Sequence, residues 1–164
     1  MKVLFFLVIS LITQISFGQD LIRRVDHIDE FTGVKEIETN AIWVASRGNF
    51  LNGGNLRFEM GRYFLKVDSL ETYALRVVSS DVLGCAGSDR NYIHFLFEDG
   101  TSVKYDNDKG RLSCKDYSES VYIINENDFA DKKINKVRYC QSEGCQDYKW
   151  TSLVSLDAFF EILK

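Results

Sequence analysis

From Leu21 onward, apolar and polar residues alternate far more than they recur at helical spacing. Period-two stretches of four to eight residues bounded by Gly, Asn, Asp or Ser are the mark of half-buried strands. "LIRRVDHI" and "VKEIET" read as two short strands around a "DEFTG" turn, and "AIWVAS" as a third. After the connector "RGNFLNGGN" come "LRFEM" and "RYFLKVDS", read as two strands on either side of Gly61, and then "YALRVVSS". "YIHFLFEDGTSVKY" reads as a hairpin. Val121–Ile124 and Ile134–Tyr139 are later strands separated by "NENDFADKK", where Asn125 or Asn127 is placed to cap a short helical turn. The period changes only near the C-terminus. Leu153, Leu156, Phe160 and Leu163 recur at helical spacing behind Thr151, Ser152 or Ser155 as N-cap, and predict a helix with one face on the sheet. The expected fold is a mainly β domain, an antiparallel sandwich or curved sheet of about eight to ten strands with one C-terminal helix.

Burial selects the hairpin's register. A two-residue Asp99-Gly100 loop would set Phe97 against Ser102 and Phe95 against Lys104, mixing phenylalanines and charges on one face. A three-residue Glu98-Asp99-Gly100 loop, with Gly100 in the left-handed position, pairs Phe95 with Val103 and Ile93 with Tyr105. Tyr105 then turns inward. Tyr92, His94 and Leu96 share the outer face with Asp106, Lys104 and Ser102, and His94 lies diagonal to Asp106.

The first residues, "MKVLFFLVISLITQISFGQD", place a lysine before an apolar run and small residues, Ser16 and Gly18, before Gln19. This is the layout of a secretory signal over residues 1–18, with a single domain over 19–164. The run Val3–Ile12 is short for a bilayer span, so no retained membrane span is expected. The product is expected in the periplasm or outside the cell. The formal charge of −4 becomes −5 without the signal, which favours no nucleic acid as partner, since a general binder needs a basic face. The chain has no proline, so its turns must be made by Gly, Asn, Asp and Ser.

Four cysteines in an exported chain are most economically two disulfides, with three possible connectivities. "CQSEGC" has four residues between its cysteines, unlike a CxxC redox or zinc half-site, and no second closely spaced pair accompanies it. Extending the hairpin ladder brings Cys85 opposite Ser113, one residue from Cys114. This favours Cys85–Cys114 as the long bridge and Cys140–Cys145 as a local clamp across a hairpin. Loop-closure entropy assigns about 3.6 kcal/mol to the first and about 2.2 kcal/mol to the second, before strain.

"YDNDKG", Tyr105 to Gly110, looks like the start of a calcium loop. Counted from Asp106, however, Gly110 falls at the fifth position and Tyr117 at the twelfth, where an EF-hand needs glycine at the sixth and a bidentate acid at the twelfth. A calcium site of another kind would require Asp89 to meet Asp106 and Asp108. A His94–Asp106 pair is the candidate for a general base in a secreted hydrolase, but no nucleophile motif accompanies it. The two histidines, His27 and His94, have no zinc-site spacing, and no cofactor is expected. Trp43, Phe50, Tyr63, Phe64, Tyr73 and Tyr92 are candidates for an aromatic platform that takes a glycan or peptide.

"VDHIDEFTGVKEIET", "GCAGSDRNYIHFLFEDGTSVKY", "LSC" and "INKVRY" together resemble a group of small exported proteins of unknown function from Bacteroidetes-type bacteria, whose signal ending is similar to "SFGQ". The resemblance implies export and a β-rich fold, and brings no catalytic residue with it. The expected function is an exported, disulfide-stabilised, non-catalytic binding or structural domain. Its partner would be a protein or glycan at the cell envelope. The alternatives are the His94/Asp106 hydrolase and a calcium-stabilised or glycan-binding envelope module.

Overall fold

The computed structural model describes residues 20–28, 30, 34–47, 54–65, 70–81, 83, 91–107 and 118–164. The expected signal peptide, Phe50, Cys85, Asp89, Asp108 and Cys114 lie outside the described residues. The described residues form ten strands: β1 (Arg23–Ile28), β2 (Lys35–Thr39), β3 (Ile42–Ser46), β4 (Asn55–Leu65), β5 (Leu70–Ser79), β6 (Tyr92–Phe97), β7 (Ser102–Asp106), β8 (Ser118–Ile124), β9 (Ile134–Gln141) and β10 (Gly144–Trp150). They are followed by one helix, α1 (Leu156–Leu163). The chain is therefore mainly β, one antiparallel sheet with a C-terminal helix.

The sheet branches at β4. One edge of this strand pairs with β5 along its whole length, from Leu56↔Ser79 to Leu65↔Leu70. Its other edge is divided: β3 takes the first half (Ser46↔Asn55 to Ile42↔Phe58) and β2, with β1 outside it, takes the second (Glu38↔Gly61 to Lys35↔Phe64). From β3 the sheet continues through β10, β9 and β6 to β7, while β8 lies beyond β5. "LRFEM" and "RYFLKVDS" are thus not two strands but one, running straight through Gly61. The Tyr63 ring folds over Gly61 on the same face, and a Cβ at Gly61 would come within 2.7 Å of that ring and require it to shift.

The sheet curls because its inward face is apolar along nearly every strand. Leu56, Phe58 and Met60 of β4, Leu75 and Val77 of β5, and Ile93, Phe95 and Phe97 of β6 are all essentially inaccessible to solvent. Strands far apart in the sheet order meet inside: Ser120 of β8 hydrogen-bonds Tyr139 of β9 (3.0 Å). A bulge between Trp43 and Ala45 assists the bend; it turns both Val44 and Ala45 inward, and the Val44 carbonyl accepts from Thr151 and Ser152 N–H (3.0 and 3.1 Å).

Helix α1 begins at Leu156, with the Ser155 hydroxyl accepting from Ala158 N–H (3.3 Å), and buries Leu156, Phe159, Phe160 and Leu163. Leu153, expected in the buried stripe, precedes the helix and is 90% exposed; Phe159 takes part instead. In the connector after β8, the Asn125 side chain accepts from Asn127 N–H (3.1 Å) and caps a 3-10 turn, Glu126–Asp128. The turn delivers Phe129 into the core, where its ring lies 5.1 Å edge-on from Phe95 and 6.0 Å from Phe160, which itself meets Tyr73 at 4.9 Å. No helix among the described residues is long and apolar enough to cross a membrane.

Candidate binding face

The β6–β7 hairpin has the three-residue loop that burial requires. Gly100 has φ 84°, Phe97 N–H donates to Thr101 O (2.9 Å), and the pairs are Phe95↔Val103 and Ile93↔Tyr105. Asp99 fixes the turn by accepting from the Thr101 hydroxyl (2.7 Å) and N–H (2.8 Å), and these bonds hold its carboxyl below the usual range. Tyr105 packs inward against Phe95 and Phe129, and Asp106 faces solvent.

This register propagates across the outer face. β6 pairs with β9 as Tyr92↔Cys140, His94↔Arg138 and Leu96↔Lys136. β9 pairs with β10 as Cys140↔Cys145, Arg138↔Asp147 and Lys136↔Lys149, and Lys149 sits opposite Ser46 of β3. Three rows therefore cross the strands outside: Asp106–Tyr92–Cys140–Cys145, Lys104–His94–Arg138–Asp147, and Ser102–Leu96–Lys136–Lys149–Ser46.

The ion pairs within these rows are local. Arg138 grips Asp147 with two bonds (2.6 and 2.9 Å), which lowers the Asp147 carboxyl pKa. Lys104 binds Asp106 at 2.5 Å and lies 4.4 Å over the Tyr92 ring. Asp106, the expected partner of His94, is thus engaged by Lys104. Lys136 and Lys149 face each other directly, and neither takes part in an ion pair among the described residues. Like charges opposite one another across a strand pair are unfavourable.

Next to this row lies an exposed tryptophan. Trp43 is 48% exposed, with the Arg57 guanidinium 5.7 Å over its ring. Trp43 pairs with Arg57 and Ser46 with Asn55, two residues apart on β4, so Trp43 shares the outer face with Ser46 and its neighbour Lys149.

The other half of the outer face is neutralised differently. Glu59 receives Arg24 (3.4 Å) and Arg76 (2.9 Å), Arg76 also holds Glu119 (2.7 Å), and the Tyr63 hydroxyl donates to Glu38 (3.0 Å). Arg24, Glu38, Glu59, Tyr63 and Arg76 line a shallow groove of about 210 Å³ around Gly61. Burial and the neighbouring Glu38 push the Tyr63 pKa up, so the phenol stays protonated.

Two buried polar clusters have no counterpart in the sequence reading. Gln141 donates to Tyr139 (2.5 Å) and Ser120 (2.9 Å), while Asn91 accepts from Tyr122 (3.2 Å) and Ser120 (3.3 Å). This network ties β8 to β9 where the curl closes. Tyr148 donates to Asp81 (2.6 Å) and shares a hydrogen bond with Ser79 (2.7 Å), and Arg47 pairs with Asp81 from outside (3.0 Å). Desolvation raises the pKa of Tyr122, Tyr139 and Tyr148 far enough to keep all three neutral, Tyr122 and Tyr148 as donors and Tyr139 accepting from Gln141.

Of the expected cysteine pairs, Cys140–Cys145 is bonded across the β9–β10 hairpin, with Cα atoms 4.1 Å apart. Cys85 and Cys114 lie outside the described residues, as do Asp89 and Asp108 of the calcium proposal. Among the described residues no group of three or more His, Cys, Asp or Glu side chains could hold a metal ion. Of the aromatic candidates, Tyr73 is buried and Phe64 packs against the core, which leaves Trp43, Tyr63 and Tyr92 on the outer face. Lys136 and Lys149 were missed, although a signal for them existed: four residues outward from each cysteine of the Cys140–Cys145 clamp lie Lys136 and Lys149. The sequence matches no family model and no curated protein, and no solved structure matches either.

Proposed function

We propose that the chain is an exported, non-catalytic binding domain that takes an extended ligand across the outer face of β3, β10, β9 and β6. One observation carries this reading: the half-exposed Trp43, with Arg57 over its ring, shares that face with the directly opposed Lys136 and Lys149, neither of which forms an ion pair among the described residues. On the other half of the outer face, the Arg24–Glu59–Arg76–Glu119 chain closes on itself. A strand face offering an exposed aromatic ring beside two lysines suits a polymer that lies along it. The Cys140–Cys145 bridge stiffens the β9–β10 hairpin, which contributes to all three rows. Export follows from the signal-like N-terminus and agrees with that bridge.

The test follows tryptophan emission. The chain has two tryptophans, and Trp150 points inward, 5.8 Å from Phe58, so a solvent-sensitive change reports Trp43. Titrating the secreted form with envelope polysaccharides, peptidoglycan fragments and peptides should perturb that emission for one class of ligand, and Trp43→Ala, followed by isothermal titration calorimetry, should abolish binding without changing the melting temperature. Equal binding by Trp43→Ala, or release of hydrolysis products from a bound polymer, would overturn the reading.

A further inference from the structure

The charge distribution on the outer face deepens that reading, on which this inference rests, by specifying the ligand. The chain is acidic overall, at −4, yet the face of β6, β7, β9 and β10 holds Lys104, Lys136, Arg138 and Lys149 against only Asp106 and Asp147. Lys104 and Arg138 are satisfied by those two acids, so the excess is concentrated at Lys136 and Lys149. We propose that this face binds an acidic polysaccharide, one bearing carboxylate or sulfate groups. An acid group of the polymer bridges Lys136 and Lys149, and a neighbouring sugar ring stacks on Trp43.

Three features favour this occupant. Opposed lysines on adjacent strands have their Cβ atoms about 5 Å apart, a spacing one anionic group can bridge while relieving their repulsion. A tryptophan provides stacking for a ring with an apolar side, on the face that the Arg57 guanidinium, 5.7 Å over the ring, does not cover. The interspersed Asp147 and Asp106, together with the net negative charge, oppose a densely charged nucleic acid, which needs a continuous basic stripe. An anionic lipid surface would call for a larger apolar patch than Leu96, 37% exposed, and Trp43 supply.

The experiment compares polygalacturonate, dextran, single-stranded DNA and phosphatidylglycerol vesicles as probes of the secreted form, by affinity electrophoresis and Trp43 emission. Polygalacturonate should bind and dextran should not, with affinity falling as salt rises. Lys136→Gln/Lys149→Gln should weaken binding about tenfold, since each exposed charge contact contributes a modest factor. Arg24→Gln, on the opposite half of the face, should leave binding unchanged. The double variant removes a repulsion, so its melting temperature should not fall; should it fall, the salt dependence of the unaltered protein and Lys149→Gln alone carry the test. Salt-insensitive binding of dextran would overturn the acidic-ligand inference and leave the binding-domain reading standing. Tighter binding to DNA or vesicles than to polygalacturonate would also overturn it. Failure of all four probes overturns it too, and the binding-domain reading then falls only if the wider panel fails to perturb Trp43.

Discussion

Phe129→Ala and Leu153→Ala form a paired test of where the core lies. Phe129 comes from a connector rather than a strand or helix, is 1% exposed, and touches Phe95 (5.1 Å, edge-on), Phe97 (5.9 Å), Tyr105 (6.0 Å, stacked) and Phe160 (6.0 Å). Truncating a fully buried phenylalanine costs about 3–5 kcal/mol. With four aromatic neighbours, each such pair adding about 0.5–1.5 kcal/mol beyond area burial, the upper half of that range is expected. For a domain with a total stability of about 5–15 kcal/mol this is a large fraction. At a urea m-value of about 2 kcal/mol/M the midpoint falls by about 2 M. Leu153, 90% exposed, should give a change within about 0.5 kcal/mol, although its spacing places it in the helical stripe. Urea titration followed by far-ultraviolet circular dichroism measures both. A loss below about 1 kcal/mol at Phe129, or a larger loss at Leu153, would refute the placement of this connector beneath the helix.

Three further outcomes are expected. Gly61→Ala should destabilise the domain by about 1 kcal/mol through contact with the Tyr63 ring, and in a Tyr63→Ala background the same substitution should cost little in thermal melts. Cys140→Ser/Cys145→Ser should lower stability by about 2 kcal/mol, the entropy of a short loop, read from urea midpoints. The Glu71 carboxyl is held below its usual range by the Arg62 guanidinium (2.8 Å), so the pair's contribution is complete above the unfolded pKa of about 4.3 and is lost as pH falls through the lower folded value. Glu71→Gln should therefore flatten the acid limb of the stability profile, whereas an unchanged slope below pH 4 would contradict that coupling.

Strand identities were legible because one buried face imposes a period of two, and the hairpin register because only a three-residue loop sets Phe95 and Ile93 against apolar partners on that face. The branch at β4 was not legible. Gly61 resembles a break, and only the Tyr63 ring lying over it explains why the strand continues. Strand β10, "GCQDYKW", was visible only through its cysteine, since glycine and scattered polar residues conceal its single buried tyrosine. The inner network was hidden for a related reason. Ser120 and Gln141 are polar residues at inward positions, and in an alternating pattern such residues read as outward-facing. Their hydrogen bonds, rather than their hydrophobicity, place them inside.

The binding face shows why net charge is a poor guide to partners in a sheet protein. Lys136 and Lys149 are thirteen residues apart, and only the β9–β10 register sets them side by side. Their charge disappears in a sum over 24 acidic and 20 basic residues spread along the chain. A mild overall acidity excludes a protein that is basic throughout; it does not exclude a local basic row. The inward face is committed to packing, and its polar groups bond to one another across the curl. The outer face is therefore where the sequence is free to vary for recognition. Neutralising Lys136 and Lys149 should accordingly leave folding intact, and any loss of ligand that follows reports on the face itself.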